Sequence, residues 1–220
     1  NWLINFLILL CFQFALVATS APASDQLTPD GLCLEGTRFS ATYGLGVENG
    51  DIDHENLIEI CSMALDGNPE NLDLKFGLAR SIASSGDTKK ASKMFHALSN
   101  LGHADSTDML ADFYYFGTTG QRSLKKFFEF SVKAYELGSF YGALNLYHAY
   151  YEGLGVQDND EQAVVYLEEA AANGVSQAVV ILADALAYGK FGFEQDKARA
   201  KKIILDEMSL GNPSAEATYH

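Results

Sequence analysis

The sequence predicts an all-α fold, a right-handed solenoid of stacked antiparallel helix pairs. Three observations carry that prediction. A glycine signpost recurs at Leu101-Gly102, Leu137-Gly138, Asn173-Gly174 and Leu210-Gly211, with spacings of 36, 36 and 37 residues. Leu74, Leu110, Leu146 and Leu182 form a second column at steps of 36, which suggests a shared buried position. Asp87, Ser123, Asn159 and Asp196 form a third, and all four are residue types that cap helix N-termini. A period of this length belongs to solenoids, in which a helix pair buries its apolar face only against its neighbours.

The first 24 residues carry no charge, and Trp2 to Ala18 is strongly apolar. The small residues Thr19-Ser20-Ala21-Pro22-Ala23 follow, so residues 1–23 read as a secretory signal peptide cleaved after Ala23, with Ser20 as the next candidate site. An uncleaved anchor is the alternative, although a run of about 17 residues is short for a membrane span. Lipidation at Cys11 is disfavoured by the bulky Leu10 before it. Because the chain opens on Asn1 with neither Met nor a basic stretch, its beginning reads as incomplete. The expected location is periplasmic or secreted, with no stable membrane insertion once the signal is removed.

The net charge of −14 lies wholly beyond that leader. It excludes nucleic acid as a partner, since phosphate contact needs clustered Lys and Arg, and it disfavours anionic lipid surfaces. A basic partner or simple solubility accounts for it, and solubility is the more general explanation. Two cysteines remain beyond the leader, Cys33 and Cys61. In an oxidising compartment they have one possible pairing; the alternative is two free buried thiols. A catalytic thiol is disfavoured, because neither cysteine has a histidine in a recognisable signature.

Residues 24–52 show no sustained helical period and are read as an irregular arm held through Cys33. The solenoid is expected over 53–220. A helix over 53–65 is capped by Asp53 and stopped by Asp66-Gly67-Asn68-Pro69. Helix pairs are then expected at 71–84 with 87–100, 103–116 with 123–137, 141–152 with 159–172, and 176–188 with 196–209. The corresponding repeats span about 68–102, 103–138, 139–174 and 175–211.

Residues 139–174, through Ala143, Leu146, Tyr150, Gly153, Gly155-Val156, Ala163, Ala170-Ala171 and Gly174, resemble the Sel-one-like branch of the tetratricopeptide-type repeats. The segments 103–138 and 175–211 resemble it more loosely. Phe127 stands where alanine is expected, and Lys190-Phe191-Gly192 alters the last loop. Residues 68–102 are closer to an ordinary tetratricopeptide repeat. The cysteine-bearing lead-in is similar to that of exported bacterial repeat proteins. The resemblance implies a scaffold or adaptor in envelope complexes, secretion or host contact.

The first helices of such a solenoid line its concave side. Asp112, His148 and Asp184 follow the leucine column by two residues and lie 36 apart, with Tyr115, Tyr151, Glu152 and Tyr188 near them by spacing. An acidic groove dotted with tyrosines suits a peptide, because Tyr offers apolar area with a hydrogen-bonding tip. A solvated polar face without a ligand is the bland alternative. His103, Asp105, Asp108 and Asp112 fall short of a metal site for want of a second histidine. Asp158 to Glu161 lacks the glycine of a calcium loop and reads as a helix start. No nucleophile elbow, phosphate loop or cofactor motif is present. The expected function is a non-catalytic protein-interaction scaffold that binds a protein or peptide without a cofactor. A peptidoglycan- or glycan-directed enzyme or binder is the alternative, resting on export and abundant carboxylates.

Overall fold

A computed structural model describes residues 28–37 and 53–209. The expected signal peptide, most of the arm and the segment from residue 210 onward lie outside the described residues. Among the described residues there are ten helices and no strand. They are α1 (Pro29–Gly36), α2 (His54–Gly67), α3 (Leu72–Ser84), α4 (Thr88–Asn100), α5 (Ala104–Phe116), α6 (Leu124–Glu136), α7 (Phe140–Glu152), α8 (Asp160–Ala172), α9 (Ser176–Tyr188) and α10 (Lys197–Ser209). Each helix packs mainly on its neighbours in sequence, and α1 on α3 and α5 on α7 also touch. The result is an all-α solenoid of helix pairs.

The N-cap column sets where each second helix begins. Asp87, Ser123, Asn159 and Asp196 accept hydrogen bonds from the amides of Lys90, Lys126, Gln162 and Arg199 at 3.1, 3.4, 3.1 and 2.9 Å. The glycine signposts end these helices. At Gly138 (φ 94°) the chain turns left-handed, so that Gly138 N donates to Tyr135 O and Ser139 N to Ala134 O. Open space surrounds the position, so conformation and not crowding demands glycine there. Gly102 and Gly174 make the same turn.

The leucine column holds with one slip. Leu110, Leu146 and Leu182 are each the seventh residue of their helix, whereas Leu74 is the third of α3. All four are buried, but Leu78 is the true equivalent. The turn between α3 and α4 (85–87) is four residues shorter than that between α5 and α6 (117–123), and this deletes one helical turn from the register.

The arm also departs from expectation. Residues 29–36 are helical because Thr28 Oγ1 accepts from Gly31 N, Pro29 opens the helix and Asp30 sits in its first turn. A helix of eight residues is too short to display an amphipathic period. Cys33 of α1 is bonded to Cys61 of α2, with a Cα–Cα separation of 4.9 Å. Since α1 contacts α3 as one first helix contacts the next, α1 and α2 act as an abbreviated leading pair.

Two clusters fill most of the core. Phe76, Phe95, Leu110 and Phe113 pack between α3, α4 and α5, while Tyr147, Leu167, Leu182 and Leu186 pack across α7, α8 and α9. Ala143, Ala163 and Ala170 are fully buried and allow close helix approach. Phe127, in place of an alanine, is accommodated against the small Ala111 and Ala149. Tyr114 stacks on Phe130 (5.2 Å) and Tyr150 on Tyr166 (5.7 Å), joining the two helices of each pair.

Candidate functional site: a cleft between α5 and α7

Thirteen-residue first helices put Asp112, His148 and Asp184 at the ninth position of α5, α7 and α9. The equivalent residue of α3 is Arg80. These side chains fare differently. Asp112, Tyr115, His148 and Glu152 line one cleft of about 310 Å3 with Asp108, Phe116, Phe127, Tyr141, Leu144, Asn145 and Gln177. Asp184 and Tyr188 line a second, about 450 Å3, between α9 and α10. Tyr151 lines neither: its ring stacks on Tyr147 (5.7 Å) and meets Phe191 edge-on (4.7 Å).

The floor of the first cleft is acidic and buried. Asp108, 2% exposed, receives a hydrogen bond on Oδ1 from Asn145 Nδ2 at 3.0 Å. Burial pushes its carboxyl well above the usual range, and the negative charges of Asp112 and Asp105 push it further. Burial likewise raises Asp112 to about 6, partly offset by the Asn145 amide. At the rim, burial pulls His148 down against the opposing pull of the Glu152 carboxylate, 3.6 Å away. No Lys or Arg lines the cleft. The walls are aromatic, with Tyr115 packed against Phe116 and Phe127, and the Phe116 ring is 72% exposed.

The second cleft is different in kind. Lys190 donates to Asp184 Oδ2 at 2.8 Å and sits 4.8 Å from the Tyr188 ring centroid, so that acid already has its cation. Arg80 is turned inward, donating from Nη1 to Thr37 O at 2.6 Å, and burial lowers its pKa to about 10.

Sequence reasoning weighed Asp108 only as a metal ligand and did not single out Tyr141 or Asn145. Their signal is weak, because a periodic reading assigns polar residues to solvent. The one hint was the i, i+4 spacing of Asp108 and Asp112. Among the described residues no cluster of His, Cys, Asp or Glu has the arrangement to hold a metal ion.

No family model matches the chain, and no curated protein matches it. Solved structures do. A Sel1 repeat protein from Oxalobacter formigenes superposes with a TM-score of 0.63 at 19% identity, over 83% of this chain and 73% of that one. The chain has the Sel1-like repeat fold. A protective antigen of uropathogenic Escherichia coli displaying the same SLR fold superposes with a TM-score of 0.59 at 21% identity. That alignment takes in 85% of this chain and 39% of the antigen, so the present chain spans about two-fifths of that relative's length. In this Sel1-like solenoid the cleft lies at the seam between two successive first helices, and α6 closes its back through Phe127.

Proposed function

We propose that this chain is a non-catalytic protein-interaction scaffold, acting outside the reducing cytosol, that holds an extended segment of a partner along α5, α7 and α9. The observation that carries the reading is the α5–α7 cleft, an opening with aromatic walls and carboxylates beside which no Lys or Arg is found among the lining residues, on the face such solenoids use for binding. The Cys33–Cys61 disulfide and the apolar leader support an exported setting. No described helix is long and apolar enough to cross a membrane.

Burial of the tyrosines supplies most of the affinity in this reading, while the acids steer a basic partner, since exposed ion pairs contribute only about 0.2–1 kcal/mol each. Capture from envelope extract followed by binding measurement with the purified partner tests it. Tyr115→Ala with Tyr151→Ala should weaken binding more than Asp112→Asn with Asp184→Asn, and the acid changes should flatten the salt dependence. A partner bound equally by wild type and both double variants would move the interface to the second helices.

A glycan-directed hydrolase is the second reading, favoured by two carboxyls of raised pKa in one cleft. Incubation with purified peptidoglycan separates the two. Cleavage abolished by Asp108→Asn or Asp112→Asn supports the hydrolase, whereas a stoichiometric protein partner without turnover supports the scaffold.

A further inference from the structure

The geometry points to the α5–α7 cleft as a pocket for one arginine side chain of the bound partner, its guanidinium seated on Asp108 and Asp112. This rests on the scaffold reading and specifies which group of the partner the groove selects.

Four observations converge on a guanidinium. The first is an excess of acid: Asp108, Asp112 and Glu152 line the cleft, no Lys or Arg does, and the basic group among the lining residues, His148, faces Glu152 and not the two aspartates. Arg122 lies near by, 4.8 Å from the Tyr115 ring centroid, but is not among the lining residues. The second is an unfilled acceptor. Asn145 occupies Oδ1 of the almost wholly buried Asp108, and Oδ2 receives no hydrogen bond from the described residues. A buried carboxylate with an open lone pair is costly, and a cation that brings donors relieves that cost.

The third is shape. A cleft of about 310 Å3 admits a single long side chain, and its back is closed by Phe127. The fourth is the pairing of flat aromatic walls, Tyr115, Phe116 and Tyr141, with carboxylates one helical turn apart. Arginine has a planar fork of five donors that bridges carboxylates and stacks on rings; the lysine ammonium is a strongly hydrated point charge that does neither as well. Tyr115 already carries one guanidinium on its ring, that of Arg122.

The test uses Nα-acetyl-arginine methylamide, with the lysine and citrulline analogues as comparators, titrated into the full chain and followed by amide chemical shifts. Citrulline keeps the shape of arginine and removes the charge. Shifts are expected on α5 and α7, with arginine at least about tenfold tighter than lysine and citrulline not saturating. Asp108→Asn and Asp112→Asn should each weaken arginine by about tenfold or more while melting no lower than wild type. The amide oxygen at 108 can still accept from Asn145, so lost binding is separable from lost folding. Asp184→Asn, in the other cleft, should bind arginine as wild type does.

Arginine and citrulline binding alike, lysine preferred, shifts confined to α9 and α10, or no saturable binding at all would each overturn the proposal. A captured partner whose affinity ignores Asp108→Asn and Asp112→Asn would also overturn it while leaving the scaffold reading intact. Selective arginine binding by a chain that captures no partner would do the reverse.

Discussion

Asp112 carries the most readable titration in the molecule. Burial lifts its carboxyl from the ordinary 3.8 to about 6, so the folded chain holds that proton more tightly than the unfolded chain. Its contribution to stability is whole below the unfolded value and lost as pH rises through the folded one. Removing the charge should therefore help only on the alkaline side. Asp112→Asn is expected to melt about 2–5 °C above wild type near pH 7.5, with the gap closing by about pH 4. Scanning calorimetry of both proteins across that range gives the difference directly and cancels the opposing effects of His96 and His148, whose burial lowers their pKa. Identical melting at every pH would mean that the carboxyl is solvated.

Single residues also explain what the sequence hid. Asp112, Tyr115, His148 and Glu152 were legible as a group because they repeat or neighbour a repeating position. Asp108 was not legible as part of that group, since the hydrogen-bond partner of its buried carboxyl is Asn145, 37 residues away, and no local pattern reports a partner at that distance. Asp184 has the same helical position as Asp112, yet Lys190 in an irregular loop neutralises it. A ladder inferred from spacing is thus chemically uneven, because each loop supplies its own neighbours.

At the scale of the elements, turns and caps decided most of what could be read in advance. The helices from α2 to α10 begin and end within two residues of their expected bounds, because Asn, Asp and Ser caps and post-helical glycines act locally. The register of α3 was misread because a fixed period cannot see a shortened turn. Helix α1 was missed because eight residues carry too little pattern.

Two element-level predictions follow from these contacts. A Cβ on Gly155 (φ 78°) would run into the Leu124 carbonyl at the start of α6, so Gly155→Ala should cost at least about 2 kcal/mol in urea unfolding. An unchanged midpoint would show that the α7–α8 loop can move away. Reducing the Cys33–Cys61 bond frees a loop with a sequence separation of 28 residues, worth about 3–4 kcal/mol on the chain-entropy view. Melting with and without reductant should differ by several degrees.

For the whole molecule, contacts run almost entirely between neighbouring helices, so stability should be distributed along the stack and not pooled in one core. Truncating Leu182, buried in α9, should cost about 2–5 kcal/mol. Native-state hydrogen exchange should then show lost protection in α9 and α10 and little change in α3 and α4. Uniform loss across all helices would indicate one cooperative unit.

The hydrogen bond from Arg80 to Thr37 links this distribution to redox chemistry. Thr37 directly follows α1, and its hydroxyl donates to the carbonyl of Cys33, so the disulfide holds in place an acceptor for a guanidinium that is 3% exposed. Opening the bond therefore does more than lengthen a leash. It loosens a hydrogen-bond acceptor held against a buried cation, carrying a thiol event at the rim into the interior. The two should behave as one thermodynamic unit: reduction should cost wild type more than it costs Arg80→Met, and the excess is the coupling between them.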